Sequence, residues 1–470
     1  MTSHLNTQVR LFALCLISAA ELLGQASAPG LPNAPGHQSL VAQTVPSTSS
    51  ASTARSASPL GITTRLTRLD AEKIALANNP RIHISQLIAR VQHEAVRERR
   101  ADELPNLNGN VTGVKAVEAS RVSSGSLTAS RLLNHAGGGV QLSQLITDFG
   151  RTPNLIASAK LQEKARLSDA EASREDIVLA TDQIFYQVIE AQDTLKVAQQ
   201  TVSARQTLTD QVSALASAKL RSDLDLSFAL VNLSEAKLLT LDAENNLNAA
   251  KAALGSVLGF DRQMNFDLVD DSSSSAPLPP DADALIVQAI QNRPDLQSLH
   301  FIEQAAQRFS RAQRDQKLPT ISALGVIGGT PAGSSTYFDS NWYGAVGANV
   351  TIPIFNGFRF SAQAAEASLQ AQAATEQTRA LRDQVVRDVR TAWLNANTAL
   401  QRVSVTSELL KQANTALNLA QTRYDLGLSS IVELSQAQLQ QTQAAIGNAN
   451  ARSQYSFAIS SINFQTGVKP

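Results

Sequence analysis

The sequence predicts a mainly α-helical protein with a small β part, in which long helical hairpins run on into a membrane β-barrel built from four strands per protomer. Three observations carry this. The chain repeats its own plan at a fixed offset. Proline is absent from 154–276 and again from 354–469, and a proline inside a helix costs about 3 kcal/mol. Short segments with strand periodicity interrupt the helical text.

The duplication comes first because it organises everything else. "ANNPRI" (77–82) resembles "QNRPDL" (291–296), and "DELPNL" (102–107) resembles "QKLPTI" (316–321), both at an offset of 214. Further on, "DFGR" (148–151) matches "NGFR" (356–359) at an offset of 208. Ala229, Ala236 and Gly259 match Ala437, Ala444 and Gly467 at the same 208. Two constant registers imply two copies that differ by one length change.

The order of segments follows. Residues 1–28 read as a signal peptide: Arg10, an apolar core from Leu11 to Ala20, and a small-residue cleavage site at Ala26-Ser27-Ala28. The single cysteine, Cys15, lies inside it behind the bulky Leu14, so neither a disulfide nor a cysteine-linked lipid is expected in the exported chain. Residues 29–65, rich in Pro, Ser, Thr and Ala, read as a disordered linker. The first repeat is expected over 66–276 and the second over 277–470.

Each repeat opens with a helix, Leu69 to about Glu103 and about 285–317, with Asp70 and Asp283 as first-turn acids. Two strands follow, about 106–117 with 138–148 and about 319–328 with 342–354. Long arms come next, about 151–219 and about 357–426. At 1.5 Å per residue each arm spans roughly 100 Å. Arms of that length need partners throughout, and Ala, Leu and Val at helical spacing point to coiled-coil-like packing.

The last strand is the most legible. Trp342, Gly344, Val346, Ala348, Val350, Ile352 and Ile354 fall on one face, and Tyr343, Ala345, Gly347, Asn349 and Thr351 on the other. That dyad, with Trp342 and Tyr343 at one end and Phe355 and Phe358 at the other, fits a membrane strand with interfacial aromatics. Beyond the first segment no apolar run reaches the roughly 20 residues of a membrane-spanning helix. Four strands cannot close a barrel, and open edges are not tolerated in lipid. A homotrimer would supply about 12 strands.

At the far ends of the arms lie "AKLRSDLDL" (218–226) and "YDLGLSSIVELSQAQ" (424–438). Gly427 suits a helix C-cap. Ser222 and Ser430, three residues before Asp225 and Glu433, suit N-caps. These stretches read as hairpin turns.

The repeated proline motifs, "IPIFNGFR" leaving the strands and "RYDLGLSSIVEL" with its following alanines together resemble the outer-membrane efflux protein family, the TolC-like channels, over about 66–470. The resemblance implies a homotrimeric exit duct in outer-membrane lipid, continued by a helical tunnel into the periplasm. Its implied partners are a periplasmic adaptor protein and an inner-membrane pump of a tripartite efflux or type I secretion system. By resemblance Tyr424 falls on a gate tyrosine, Asp225 on its acidic partner and Glu433 on a pore-ring acid. Ser429 and Gln436 depart from that pattern, standing where an arginine and a second acid are expected. Packing for Tyr424 and capping for Asp225 and Glu433 stay open as alternatives.

Other functions find little support. With 40 basic and 40 acidic residues the formal charge is zero, which argues against a nucleic-acid partner. "GGTPAGSS" (328–335) lacks the lysine of a phosphate loop, and "HAGGG" (135–139) lacks a nucleophile elbow; both are expected in loops. His83 and His93 have no third ligand at metal spacing. No catalytic, cofactor or metal site is expected. A periplasmic coiled-coil adaptor without a pore is the competing function, and the amphipathic strands speak against it.

Overall fold

The computed structural model describes residues 64–114, 121–124, 127–131, 135–261, 266–269, 278–329 and 342–468. The signal peptide and nearly all of the linker lie outside them. The chain divides into two units, 1–61 and 62–470, and the second holds every described element.

In chain order the elements are β1 (Thr64–Leu66), α1 (Arg68–Asn78), α2 (Pro80–Ala101), β2 (Asn106–Val114), β3 (Arg121–Ser124), β4 (Leu127–Arg131) and β5 (His135–Thr147). The helices α3 (Arg151–Ser217) and α4 (Asp223–Val257) follow, then β6 (Phe266–Leu268). The second copy runs α5 (Ala282–Asn292), α6 (Pro294–Asp315), β7 (Thr320–Gly329), β8 (Trp342–Thr351), α7 (Arg359–Asp425) and α8 (Ile431–Thr466).

Two expectations need correction at the start of each copy. The single opening helix is two helices, broken at Asn79 and at Arg293, whose ψ values of 123° are extended. The cause is the next residue: Pro80 and Pro294 disfavour helical backbone at the position before them. Each proline then becomes the first residue of α2 or α6, where its missing N–H costs nothing. The sequence reading also missed two small β pairings. β1 runs parallel to β6 and begins inside the last residues of the expected linker, and β3 pairs antiparallel with β4. "HAGGG" is not a loop: His135–Gly139 opens β5, paired with β2.

The duplication extends to backbone conformation. The long helices α3 and α7 have 67 residues each. Among the described residues, those with positive φ fall into pairs 208 apart: Phe149 with Gly357, Gly150 with Phe358, Lys219 with Gly427 and Gly259 with Gly467. Because three of these eight are not glycine, the conformations follow from the fold and not from residue preference alone.

The helical arms pack through small residues. Buried Ala229, Ala236 and Ala243 on α4, and Ala437, Ala444 and Ala451 on α8, repeat every seven positions, the spacing of a coiled-coil seam. Polar links tie the hairpins together. Asn232 donates to Ser435 Oγ at 2.6 Å, Arg205 donates to the Asn232 carbonyl at 2.6 Å, and the hydroxyls of Thr201 and Thr442 lie 3.3 Å apart. A larger apolar core, with Phe185, Val188, Leu254 and Leu258, packs β1, β6 and α1 against α3 and α4.

The four-stranded sheet has the antiparallel order β2-β5-β7-β8. Register assigns its faces, since cross-strand partners point the same way. Leu107, Val111, Val140, Leu142, Ile327, Val346 and Val350 share one face with Trp342. Asn106, Asn108, Asn110, Gln141, Ser143, Ser322, Asn349 and Thr351 share the other. The apolar face is bare, with Val346 at 92% exposure. Leu145, Leu324 and Val326 are apolar exceptions on the polar face. β8 stops at Thr351, earlier than expected, because Pro353 cannot donate to a ladder. Its ten residues still match the roughly 9–11 of a tilted membrane strand.

Candidate functional site at the hairpin tips

Both arms end in the same kind of turn. In the first, Leu220 N–H reaches back to the Leu215 carbonyl at 2.8 Å and Lys219 N–H to Ala216 at 2.9 Å. In the second, Leu428 N–H bonds to the Arg423 carbonyl at 2.8 Å and Gly427 N–H to Tyr424 at 2.9 Å. This double bond closes a helix through one left-handed residue. Gly427, at φ 73°, takes that conformation without strain, whereas Lys219 holds φ 57° with a side chain attached. The next helices begin on serines: Ser222 Oγ accepts from Asp225 N–H at 3.1 Å, and Ser430 Oγ from Glu433 N–H at 3.4 Å.

Tyr424 sits at the junction of the two turns. It is only 3% exposed and belongs to an apolar cluster with Leu208, Val212, Ala229, Ile431 and Leu434, drawn from both hairpins. Its ring lies under the Arg221 guanidinium, 4.4 Å from carbon to ring centroid, within cation–π range. Arg221 Nη2 also donates to the Tyr424 carbonyl at 2.8 Å. Burial raises the Tyr424 phenol above its ordinary value; Arg221 opposes that shift, and Asp225 and Asp425 add to it. The phenol oxygen is buried without a hydrogen-bond partner, as is Ser429 Oγ.

Arg221 is the residue that sequence reasoning missed. It precedes Ser222 in the first turn at the position equivalent, across the 208-residue offset, to Ser429. The arginine missing from the second turn therefore has a counterpart in the first, and only comparison of the two turns position by position could have found it. Glu433 pairs with Arg423 at 3.6 Å on the same hairpin, with both side chains about half exposed.

The other expected site residues lie at the opposite ends of α3 and α7. Trp342 opens β8, while Phe355 and Phe358 follow it outside the strand. The two phenylalanine rings stack edge to face at 5.6 Å and are largely exposed. Tyr343 points to the polar face and lies across Gly328. A Cβ there would meet its hydroxyl at 2.7 Å, so this close approach requires glycine.

His93 binds Glu163 at 2.7 Å on the surface. Among the described residues no group of three or more His, Cys, Asp or Glu side chains could hold a metal ion, and no helix is long and apolar enough to cross a membrane.

A family model described as outer membrane efflux protein matches residues 73–260 and 285–467. The chain belongs to this family. One matched block falls within each of the two expected repeats. This efflux protein is 24% identical over 414 residues to the outer membrane protein TolC of Escherichia coli (strain K12), covering 84% of this chain and 80% of TolC. It is 26% identical over 384 residues to the outer membrane protein OprJ of Pseudomonas aeruginosa, covering 78% and 76%. Among solved structures its fold matches that of CusC, described as forming a transmembrane channel, with a TM-score of 0.74 at 20% identity over 85% of this chain and 92% of CusC. The protein is thus an outer-membrane efflux protein with a TolC-like fold, in a family of transport proteins rather than enzymes.

Proposed function

We propose that this efflux protein is the exit duct of a tripartite efflux or type I secretion assembly, conducting substrates passively from a periplasm-spanning complex to the exterior. The two-faced sheet carries this reading. One face is apolar and bare except for Gln144 near its end, the other is rich in Asn, Gln, Ser and Thr, and strands β2 and β8 each leave an edge unpaired. Lipid accepts the first face and water the second, and no open edge survives in lipid. Three copies joined edge to edge give a barrel of about 12 strands. Trp342, Phe355 and Phe358 then lie at the membrane interfaces, while Tyr343, expected there too, is on the water-facing side of the sheet across Gly328, and α3, α4, α7 and α8 extend into the periplasm.

In this reading residues 1–28 direct export, without a lipid through cysteine, and 29–65 link to the two repeats at 66–276 and 277–470. A periplasmic adaptor and an inner-membrane pump supply cargo and energy. The tips form the periplasmic gate. Tyr424 with Arg221 fastens one hairpin to the other, Asp225 and Glu433 place negative charge at the entrance, and Gly427, Ser222 and Ser430 shape the turns.

Membrane fractionation with heat-modifiable gel migration tests the proposal. An outer-membrane oligomer that runs as a trimer until heated is expected. Recovery as an extended monomer in the soluble periplasmic fraction would falsify the duct.

A further inference from the structure

Far from the tips, where α1 packs against α3, two carboxylates share one arginine. Glu72 and Asp182 are 3% and 2% exposed. Arg68 Nη1 contacts Glu72 and lies 3.2 Å from Asp182 Oδ2. The second oxygen of Asp182 is buried without a hydrogen-bond partner. Two buried negative charges with one positive charge leave an uncompensated charge, which a low-dielectric interior does not tolerate.

The duplication provides an internal control. The equivalents of Arg68, Glu72 and Asp182 in the second copy are Ala282, Ile286 and Arg390. Ile286 is buried in an apolar core, and Arg390 is exposed and pairs with Asp283 at 3.3 Å. The same packing is therefore achieved without any buried acid. Replacing buried ionic groups by apolar ones of similar volume is often neutral or stabilising, so packing alone does not account for the cluster in the first copy.

We propose that Glu72 and Asp182 are a proton-sharing carboxyl pair, clamped by Arg68, that seats α1 on α3 while one proton is held between them. That proton balances the cluster: one carboxylate pairs with Arg68, and the protonated carboxyl donates to the other. A cavity of about 160 Å³ lined by Arg68, Glu175, Asp182, Ser460 and Asn463 gives protons access. The charged or titratable groups facing the pair are Arg68 and Lys73 on α1, and Glu175 and Tyr186 on α3. From α8 the facing side chains are Ser460, Asn463 and Phe464, which do not titrate. Burial first, and Asp182 second, push Glu72 up to about 8, against the opposing pull of Arg68 and Lys73. A carboxyl whose folded pKa is raised stabilises the fold below its unfolded value near 4.5, and that contribution is lost as pH rises towards about 8.

Infrared difference spectroscopy of the full-length protein in detergent at neutral pH tests the pair. Wild type minus Glu72→Gln, and wild type minus Asp182→Asn, should each show one protonated carboxylic-acid carbonyl band, because removing either partner leaves Arg68 to ionise the other. The Tm of wild type should also fall between about pH 5 and 8 more steeply than that of Glu72→Gln. A wild type without the band, or a band that survives in Asp182→Asn, overturns the shared proton. Equal pH slopes in wild type and Glu72→Gln overturn its role in seating α1.

Discussion

At the residue scale, Arg221 does what neither turn does alone. Its guanidinium covers the Tyr424 ring and its N–H holds the Tyr424 carbonyl, so one side chain couples ring and backbone of the opposite hairpin. Arg221→Ala should release that coupling and raise single-channel conductance in planar bilayers. Arg221→Lys, which keeps the charge but not the planar fork, should fall between. Tyr424→Phe removes only a phenol oxygen that has no partner and should leave conductance near wild type. Asp225→Ala combined with it should raise conductance if the acid contributes to the gate; unchanged values would restrict Asp225 to its place beside the Ser222 cap. Tyr424 itself was legible in the sequence, but its partner was not. The distance between residues 221 and 424 is closed by packing of two hairpins, which no local pattern records.

At the element scale, the hairpin turns separate what sequence fixes locally from what it does not. The caps at Ser222 and Ser430 are short-range chemistry, and their spacing to Asp225 and Glu433 announces them. The left-handed Lys219 is visible only through its offset to Gly427. Lys219→Gly should stabilise the first turn by about 1 kcal/mol by removing the left-handed penalty. Ser430→Ala should destabilise the second by about 1 kcal/mol. Hydrogen exchange at the first-turn amides of α4 and α8 reads both, as slower opening in the first variant and faster in the second. The breaks at Asn79 and Arg293 were legible in principle from the prolines that follow them. Helical periodicity on both sides masks a break of one residue. The parallel pairing of β1 with β6 joins segments some two hundred residues apart, and three-residue strands carry too little pattern to announce themselves.

At the scale of the whole molecule, the sheet joins fold to function. Its faces were legible for β8, where alternation is clean, and less so for β2 and β5, where glycines and Gln144 blur the apolar side. Register resolves them, because Val111 and Val140 gain their meaning only from the strands beside them. A charge placed on the bare face should prevent membrane assembly. Val346→Arg, near mid-strand, should cost about 2–4 kcal/mol in the bilayer and reduce recovery of heat-modifiable oligomer from outer membranes. Asn349→Arg, on the polar face of the same strand, should assemble normally and alter ion selectivity.

The two turns described above are unlike each other: one has a strained lysine and an arginine, the other a relaxed glycine and a serine whose hydroxyl is buried. A three-fold assembly would therefore present its periplasmic partner with six tips of two alternating kinds. A partner ring of six identical subunits could not meet them all in the same way. It would bind as three pairs, each pair divided between an arginine-bearing tip and a glycine-bearing one.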